Sequence, residues 1–314
     1  MFYFVRYKKT MRAFERSVLI QNLRYRSTPT GSVIAACAEL GIKIHNDSSN
    51  FELTRLAGGQ FGTVFTISGR RKKVLKEPNS RATLDETLRE LMLSKVKHQN
   101  VIEIDGWFRA TFLGRHGILM EQADNDLFRM IDKNGAIEDN ARLQQYALHI
   151  LTGVSHLHEK QIFHFDVKPE NILMCGDTLK LADFGLSHSQ NWSFNGAEFG
   201  SLGQGVRFFG TPGYIPHEQL ANHGKFVDKR DMWATGCTIF VMAYGSMLYH
   251  RHESRHYIAL LHKLITAEPP YFSDLIGRPH RSVKLEELLA DLIAFFPELS
   301  MQQIIGKHFG SPWP

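Results

Sequence analysis

At 314 residues the chain can bury one large core or two lobes, and 43% hydrophobic with 22% charged residues is ordinary globular composition. No apolar run reaches eighteen residues, which argues against a transmembrane helix. The net charge of +5 sits in residues 1–49, which hold eight Lys or Arg against three Asp or Glu, so the remainder is neutral and offers no basic field for a nucleic acid.

Met1 to Arg26 is basic and acid-poor. A solvated extension is the simplest reading, with a transit-like segment or contact with an anionic membrane as alternatives. The start has no signal-peptide order and no Gly at position 2 for myristoylation. Cys37, Cys175 and Cys237 are scattered and form no CxxC pair, which implies reduced thiols in the cytoplasm or nucleus, without a disulfide framework or zinc site.

Thr30 to Gly41 has the signals of a short helix, with Thr30 or Ser32 as cap and Gly41 as stop. The polar run His45–Asn50 predicts a boundary, dividing a 1–49 extension from a 50–314 domain able to fold alone. Strand-like runs follow at Phe51–Leu56, Thr63–Ser68 and Lys72–Lys76, then a helix over Ala82–Lys97 with Leu84, Leu88, Leu91 and Leu93 at near-helical spacing. Ile102–Phe108 and Gly117–Glu121 read as two more strands before a long region of helical periodicity. The order predicts a two-lobed α+β fold, a small β-rich lobe followed by a larger helical one.

Seven segments stand out in order. They are Leu56-Ala57-Gly58-Gly59-Gln60-Phe61-Gly62-Thr63-Val64; Val74-Leu75-Lys76; Met120-Glu121-Gln122-Ala123; and His164-Phe165-Asp166-Val167-Lys168-Pro169-Glu170-Asn171. Asp183-Phe184-Gly185, Gly210-Thr211-Pro212-Gly213-Tyr214-Ile215-Pro216-His217-Glu218 and Asp231-Met232-Trp233-Ala234-Thr235-Gly236 complete them. Each alone has a bland reading, such as a glycine-rich hairpin or a solvated lysine. In this order and spacing they resemble the eukaryotic-type protein kinase family from about Phe51 to the C-terminus.

The resemblance implies a kinase that uses ATP and Mg²⁺ on a protein substrate. Leu56 to Val64 would cradle phosphates through close backbone approach, with Phe61 at the tip. Lys76 would bind the α- and β-phosphates and pair with Glu90; Glu86, one turn earlier on the same helix face, is the alternative, since Arg89 holds the ungapped position. Met120 would guard the adenine pocket, and the backbones of Glu121 and Ala123 would meet the adenine edge. Asp166 would act as base and Lys168 would stabilise γ-phosphate charge, while Asn171 and Asp183 would supply metal-ligating oxygens. Lys168 together with Thr211 ahead of Pro212 looks like serine/threonine kinases. A nucleotide-binding scaffold without activity and a tyrosine or dual-specificity kinase are the alternatives.

Four positions depart from the family pattern. Ala57 stands for the first loop glycine, Phe165 for the catalytic-loop Arg, His217 for the Pro of APE, and Leu299 for an Arg that pairs with the APE glutamate. A non-Arg residue at Phe165 is also seen in the Wee1/Myt1-type kinases. The cluster His250-Arg251-His252 with His256 is interleaved with Arg and reads as a solvated helix face; His156 and His158 read as structural.

Overall fold

Short β-branched and aromatic runs bounded by glycine form a sheet in the first half of the chain, and longer apolar stripes form helices in the second. In this computed structural model the described residues are 30–49, 51–58, 62–70, 72–79, 82–189, 191–194, 197–198, 210–211, 213–216, 227–248, 281–293 and 299–310. The basic run Met1 to Arg26, the loop tip Gly59-Gln60-Phe61, Pro212, His217, Glu218 and the histidines from His250 to His256 lie outside them.

Helix α1 (Thr30–Leu40) stops at Gly41, whose φ of +64° turns the chain so that the Ile42 N–H reaches the Cys37 carbonyl at 2.8 Å. Strands β1 (Ile44–Asp47), β2 (Leu53–Gly58), β3 (Gly62–Ile67), β4 (Lys73–Pro78), β5 (Ile104–Ala110) and β6 (Arg115–Glu121) form one sheet in the order β1-β5-β6-β4-β3-β2. β1 pairs parallel with β5, and the other neighbours are antiparallel. Helix α2 (Leu84–Met92) starts at a capping box: Thr83 Oγ1 accepts from the Glu86 N–H, and Glu86 returns a carboxylate to the Thr83 N–H at 2.7 Å. Its buried face carries Leu88, Leu91 and the charged Glu90.

The second lobe begins at β7 (Asn125–Asp126) and α3 (Leu127–Asn134), followed by α4 (Asn140–Glu159). In α4 the buried residues Leu143, Tyr146, Ala147, Ile150, Leu151, Val154 and Leu157 recur at helical spacing and make one apolar stripe. Hairpin β8 (Ile172–Cys175) and β9 (Thr178–Leu181) joins β7 in a three-stranded sheet. A small ladder of β10 (Ser193–Phe194) and β11 (Ala197–Glu198) follows, then α5 (Val227–Tyr244), α6 (Val283–Leu292) and α7 (Met301–His308). From Asp231 to Tyr244 every residue of α5 is buried, so this helix is the interior axis of the lobe. Asn100 joins the lobes: its Nδ2 donates to the Leu179 carbonyl and its Oδ1 accepts from Thr152, both at 2.9 Å. The fold is the expected two-lobed α+β arrangement. Among the described residues no helix is long and apolar enough to cross a membrane.

Two local expectations are corrected. The helix read over Ala82–Lys97 ends at Met92 and passes into a 3₁₀ turn at Leu93–Lys95. Leu93 and Val96 remain buried through that turn, so the apolar pattern continues after the α-helix stops. The polar run read as a boundary is a strand as far as Asp47. Its pairing is made by the backbone, and polarity suits a sheet edge. The Trp107 N–H donates to the Lys43 carbonyl and the Thr111 N–H to the Asp47 carbonyl. Hydrogen bonds from Ser49 and from the Arg70 guanidinium pull the Asp47 carboxyl down to about 2.

β1 can approach β5 closely because position 106 is glycine. Gly106 has a φ of +136°, and a Cβ there would lie 2.2 Å from the Lys43 carbonyl oxygen. Gly106→Ala is therefore expected to cost about 2 kcal/mol or more, from backbone strain and displaced β1 together. Chemical denaturation with unchanged m-value checks it.

Candidate active site

The site forms where three elements present charge to one point. Lys76 projects from β4, which β3 and β6 flank on either side. Its Nζ lies 2.7 Å from both carboxylate oxygens of Glu90 on α2, and 3.1 Å from Asp183 Oδ1. Glu86, the alternative partner, is engaged instead by the capping box, one turn away. Burial disfavours the charge on Lys76, but the carboxylates of Asp183 and Glu90 outweigh it and raise its pKa. Burial and the neighbouring Asp183 charge raise the Glu90 carboxyl, whose side chain is only 6% exposed. Asp183 is 35% exposed and lies below the usual carboxylate range, because the Lys76 and Lys168 charges overcome its desolvation.

Asp183 adopts a φ of +62°, tolerable for Asp, which lets its carboxylate face Lys76. The next residue, Phe184, is fully buried with its ring 4.8 Å from that of His164. Arg89 adds a link absent from the sequence reading: its Nη1 donates to the Gly185 carbonyl at 3.3 Å. An arginine beside the expected glutamate was the available signal. A cavity lined by Lys76, Ala82, Glu86, Glu90, Asp183 and Gly185 opens at this junction.

The second cluster is built on the loop His164–Asn171. Asp166 Oδ2 accepts from Asn171 Nδ2 at 2.8 Å and pairs with Lys168 Nζ at 2.7 Å. Asp166 Oδ1 accepts from the Thr211 hydroxyl at 2.6 Å, and that hydroxyl accepts from Lys168 Nζ at 2.6 Å. The Asp166 and Glu170 charges raise the Lys168 pKa against the opposing effect of burial. The loop itself hangs on a fully buried aspartate: Asp231 accepts from the His164 and Phe165 N–H groups at 2.8 Å each, and His158 Nε2 lies 2.9 Å from it. His158, read as structural, is thus part of this support.

Phe165 takes the place of a cation with an aromatic stack. Its ring lies parallel to His188 at 5.9 Å and near-parallel to Phe163 at 6.3 Å, and Arg230 Cζ sits 4.2 Å over it. Two backbone hydrogen bonds of 2.8 Å join Phe163 and His188, so the residues after Gly185 are tied to the catalytic loop.

The remaining candidate residues line the sheet and the link between lobes. Leu56, Ala57 and Gly58 end β2, while Gly62, Thr63 and Val64 begin β3, with Ala57 opposite Val64 and Gly58 opposite Thr63. Met120 is buried in β6 opposite Val74, two residues along from Lys76. Glu121 ends β6 and holds Lys180 through both carboxylate oxygens, at 2.9 and 2.7 Å. Ala123 follows, half-buried.

The family model for the protein kinase domain matches residues 52–309. The chain belongs to the protein kinase family. Serine/threonine-protein kinase Nek11 of Homo sapiens is 26% identical over 233 residues, which cover 69% of this chain and 34% of that protein. Serine/threonine-protein kinase Nek1 of Mus musculus is 28% identical over 82% of this chain and 21% of its own length. CBL-interacting serine/threonine-protein kinase 16 of Arabidopsis thaliana is 30% identical over 74% of this chain and 49% of its own. The chain thus spans about a third of Nek11 and half or less of the others.

Removing Asp231 leaves two buried N–H donors without an acceptor. Asp231→Ala is expected to cost about 2–6 kcal/mol, at 1–3 for each orphaned donor. Urea unfolding of the purified variant measures it.

Proposed function

We propose that this kinase transfers the γ-phosphoryl group of Mg-ATP to a serine or threonine hydroxyl of a protein. The observation that carries the reading is the Thr211 hydroxyl, hydrogen-bonded at 2.6 Å to both Asp166 and Lys168. A hydroxyl-bearing side chain between Asp166 and Lys168 supports the reading, since an acceptor alcohol would meet the same two groups. The serine/threonine kinase names of the relatives support the same specificity.

The residues fit the cofactor. Asn171 and Asp183 offer oxygen donors, and among the described residues no cluster of three His, Cys, Asp or Glu forms a protein cage. That suits Mg²⁺, which keeps waters and takes substrate phosphate oxygens beside one or two protein ligands. The bound Mg-ATP would supply the activated phosphoryl group. Lys76, fixed by Glu90, would hold the phosphates; Leu56 to Val64 would cover them, and Met120, Glu121 and Ala123 would border the adenine. Asp166 would orient the acceptor hydroxyl and take its proton, and Lys168 would offset charge on the transferred group.

Radiolabelled ATP followed by phospho-amino-acid analysis tests the reading, with label expected on serine or threonine. Label on tyrosine would establish the other specificity, and absence of transfer with nucleotide still bound would make the chain a scaffold. Lys76→Met and Asp183→Asn are each expected to lower the rate by about 10²-fold or more while circular dichroism is unchanged, since each removes a charge aimed at the reacting centre.

The Phe165 ring itself offers no hydrogen-bond donor to a phosphate, yet its stack already holds the start of the activation segment. Activity is therefore expected to survive phosphatase treatment, verified by mass spectrometry. A fall of about tenfold, near 1.4 kcal/mol of transition-state stabilisation, that rephosphorylation restores would contradict this.

A further inference from the structure

Residues 30–47 precede the family match, which begins at 52, yet they are built into the machinery that holds Glu90. On α1, Val33, Ala36 and Cys37 are completely buried and share one core cluster with Leu88 and Leu91 of α2. α1 packs directly against α2, and also against β10 in the activation segment. At its end, Lys95 Nζ, just past α2, donates to the Leu40 carbonyl at 2.6 Å. Beyond Gly41 the segment continues as β1 on the free edge of β5. The catalytic lobe is shaped to receive it, because any side chain at Gly106 would collide with the Lys43 carbonyl.

A helix that carries one partner of a buried ion pair is held by the pair and by its opposite face. Helix α2 holds Glu90 against Lys76 and Arg89 against Gly185. Its buried leucines, Leu88 and Leu91, also need cover, or the helix must either expose them to water or shift. Keeping those leucines out of water favours the one placement of α2 in which they stay covered. The sequence of α1 is suited to this, with small and branched residues toward the core and Gly31, Ala35, Ala38 and Glu39 exposed.

We infer that α1 and β1 form a built-in brace for α2, and that Val33, Ala36 and Cys37 are positioning residues for the Lys76–Glu90 pair. The brace acts through Glu90, on the geometry of the nucleotide site. Because it also meets β10, it connects the placement of α2 to that of the activation segment. This inference rests on the phosphotransfer reading, which the rate of the unaltered protein tests by itself.

The test uses the full chain and a double-mutant cycle. Ala36→Asp puts an unpaired carboxylate into the α1–α2 contact, Val33→Ala only removes two methyl groups from it, and Ala35→Glu on the exposed face is the control. With folding verified by circular dichroism, Ala36→Asp is expected to lower kcat/KM about tenfold or more and Val33→Ala about threefold, with Ala35→Glu unchanged. In a Glu90→Gln background the same two substitutions should each cost less than about twofold, since the contact they act through is already lost. Hydrogen exchange of the α2 amides, 84–92, should quicken in both variants. If Ala36→Asp does not fold, Val33→Ala decides alone. Undiminished kcat/KM in the folded variants, or an equal loss with and without Glu90, would overturn the brace and leave α1 as a purely structural cover.

Discussion

The buried charge cluster of Lys76, Glu90 and Asp183 is the constraint on which the rest of the architecture depends. Lys76 and Glu90 have little access to water and Asp183 is only half-buried beside them, so the group is costly to assemble and removal of any one strands its partners. They come from β4, α2 and the segment after β9, so the cluster exists only while sheet, helix and inter-lobe segment are in register. The sheet fixes Lys76 by pairing β4 on both sides. Glu90 has no such lattice, since it sits on a short helix whose placement depends on a capping box, on Arg89 and on its packed rear face. The least constrained partner is therefore the helix, and several otherwise unrelated contacts converge on it.

The catalytic loop is fixed differently. It has no regular hydrogen-bond ladder of its own, and Asp231 supplies acceptors to two successive N–H groups from the interior helix α5. A carboxylate at the core of a helix buried on all sides is tolerated because those donors, with His158, satisfy it. The loop then presents Asp166, Lys168 and Asn171 as one hydrogen-bonded unit. Thr211, forty-three residues beyond Lys168, closes that unit, so the end of the activation segment is in place only when the loop is.

Phe165 changes what orders the segment between them. An arginine there would carry charge needing an anion; a phenylalanine can be satisfied by rings and by Arg230 at 4.2 Å. Stacking and cation–π attraction act over similar distances but need no added group. The same position therefore serves as an aromatic anchor, and the backbone bridge of Phe163 and His188 extends the anchor to the residues after Gly185.

The two-lobed class and the order of its elements were legible in the sequence because periodicity is a local property: β-rich runs for β2 to β4, a leucine stripe for α2, an eleven-residue unit stopped by Gly41 for α1. The candidate site was legible as a set of motifs because the kinase family pattern places particular groups at particular gaps, as in His164 to Asn171 followed by Asp183. What sequence could not decide was pairing. Glu86 and Glu90 lie on one helix face, and only the position of β4 made Glu90 the partner of Lys76 and left Glu86 to cap Thr83. The polar run His45–Asp47 carries no strand signal, because its pairing belongs to the backbone and depends on an open edge at β5 and the absence of a side chain at Gly106. The roles of Arg89, Arg230 and α1 were hidden for the same reason. Each acts through contacts distant in sequence, and such contacts are set by the packing of lobes and helices, which no local pattern encodes.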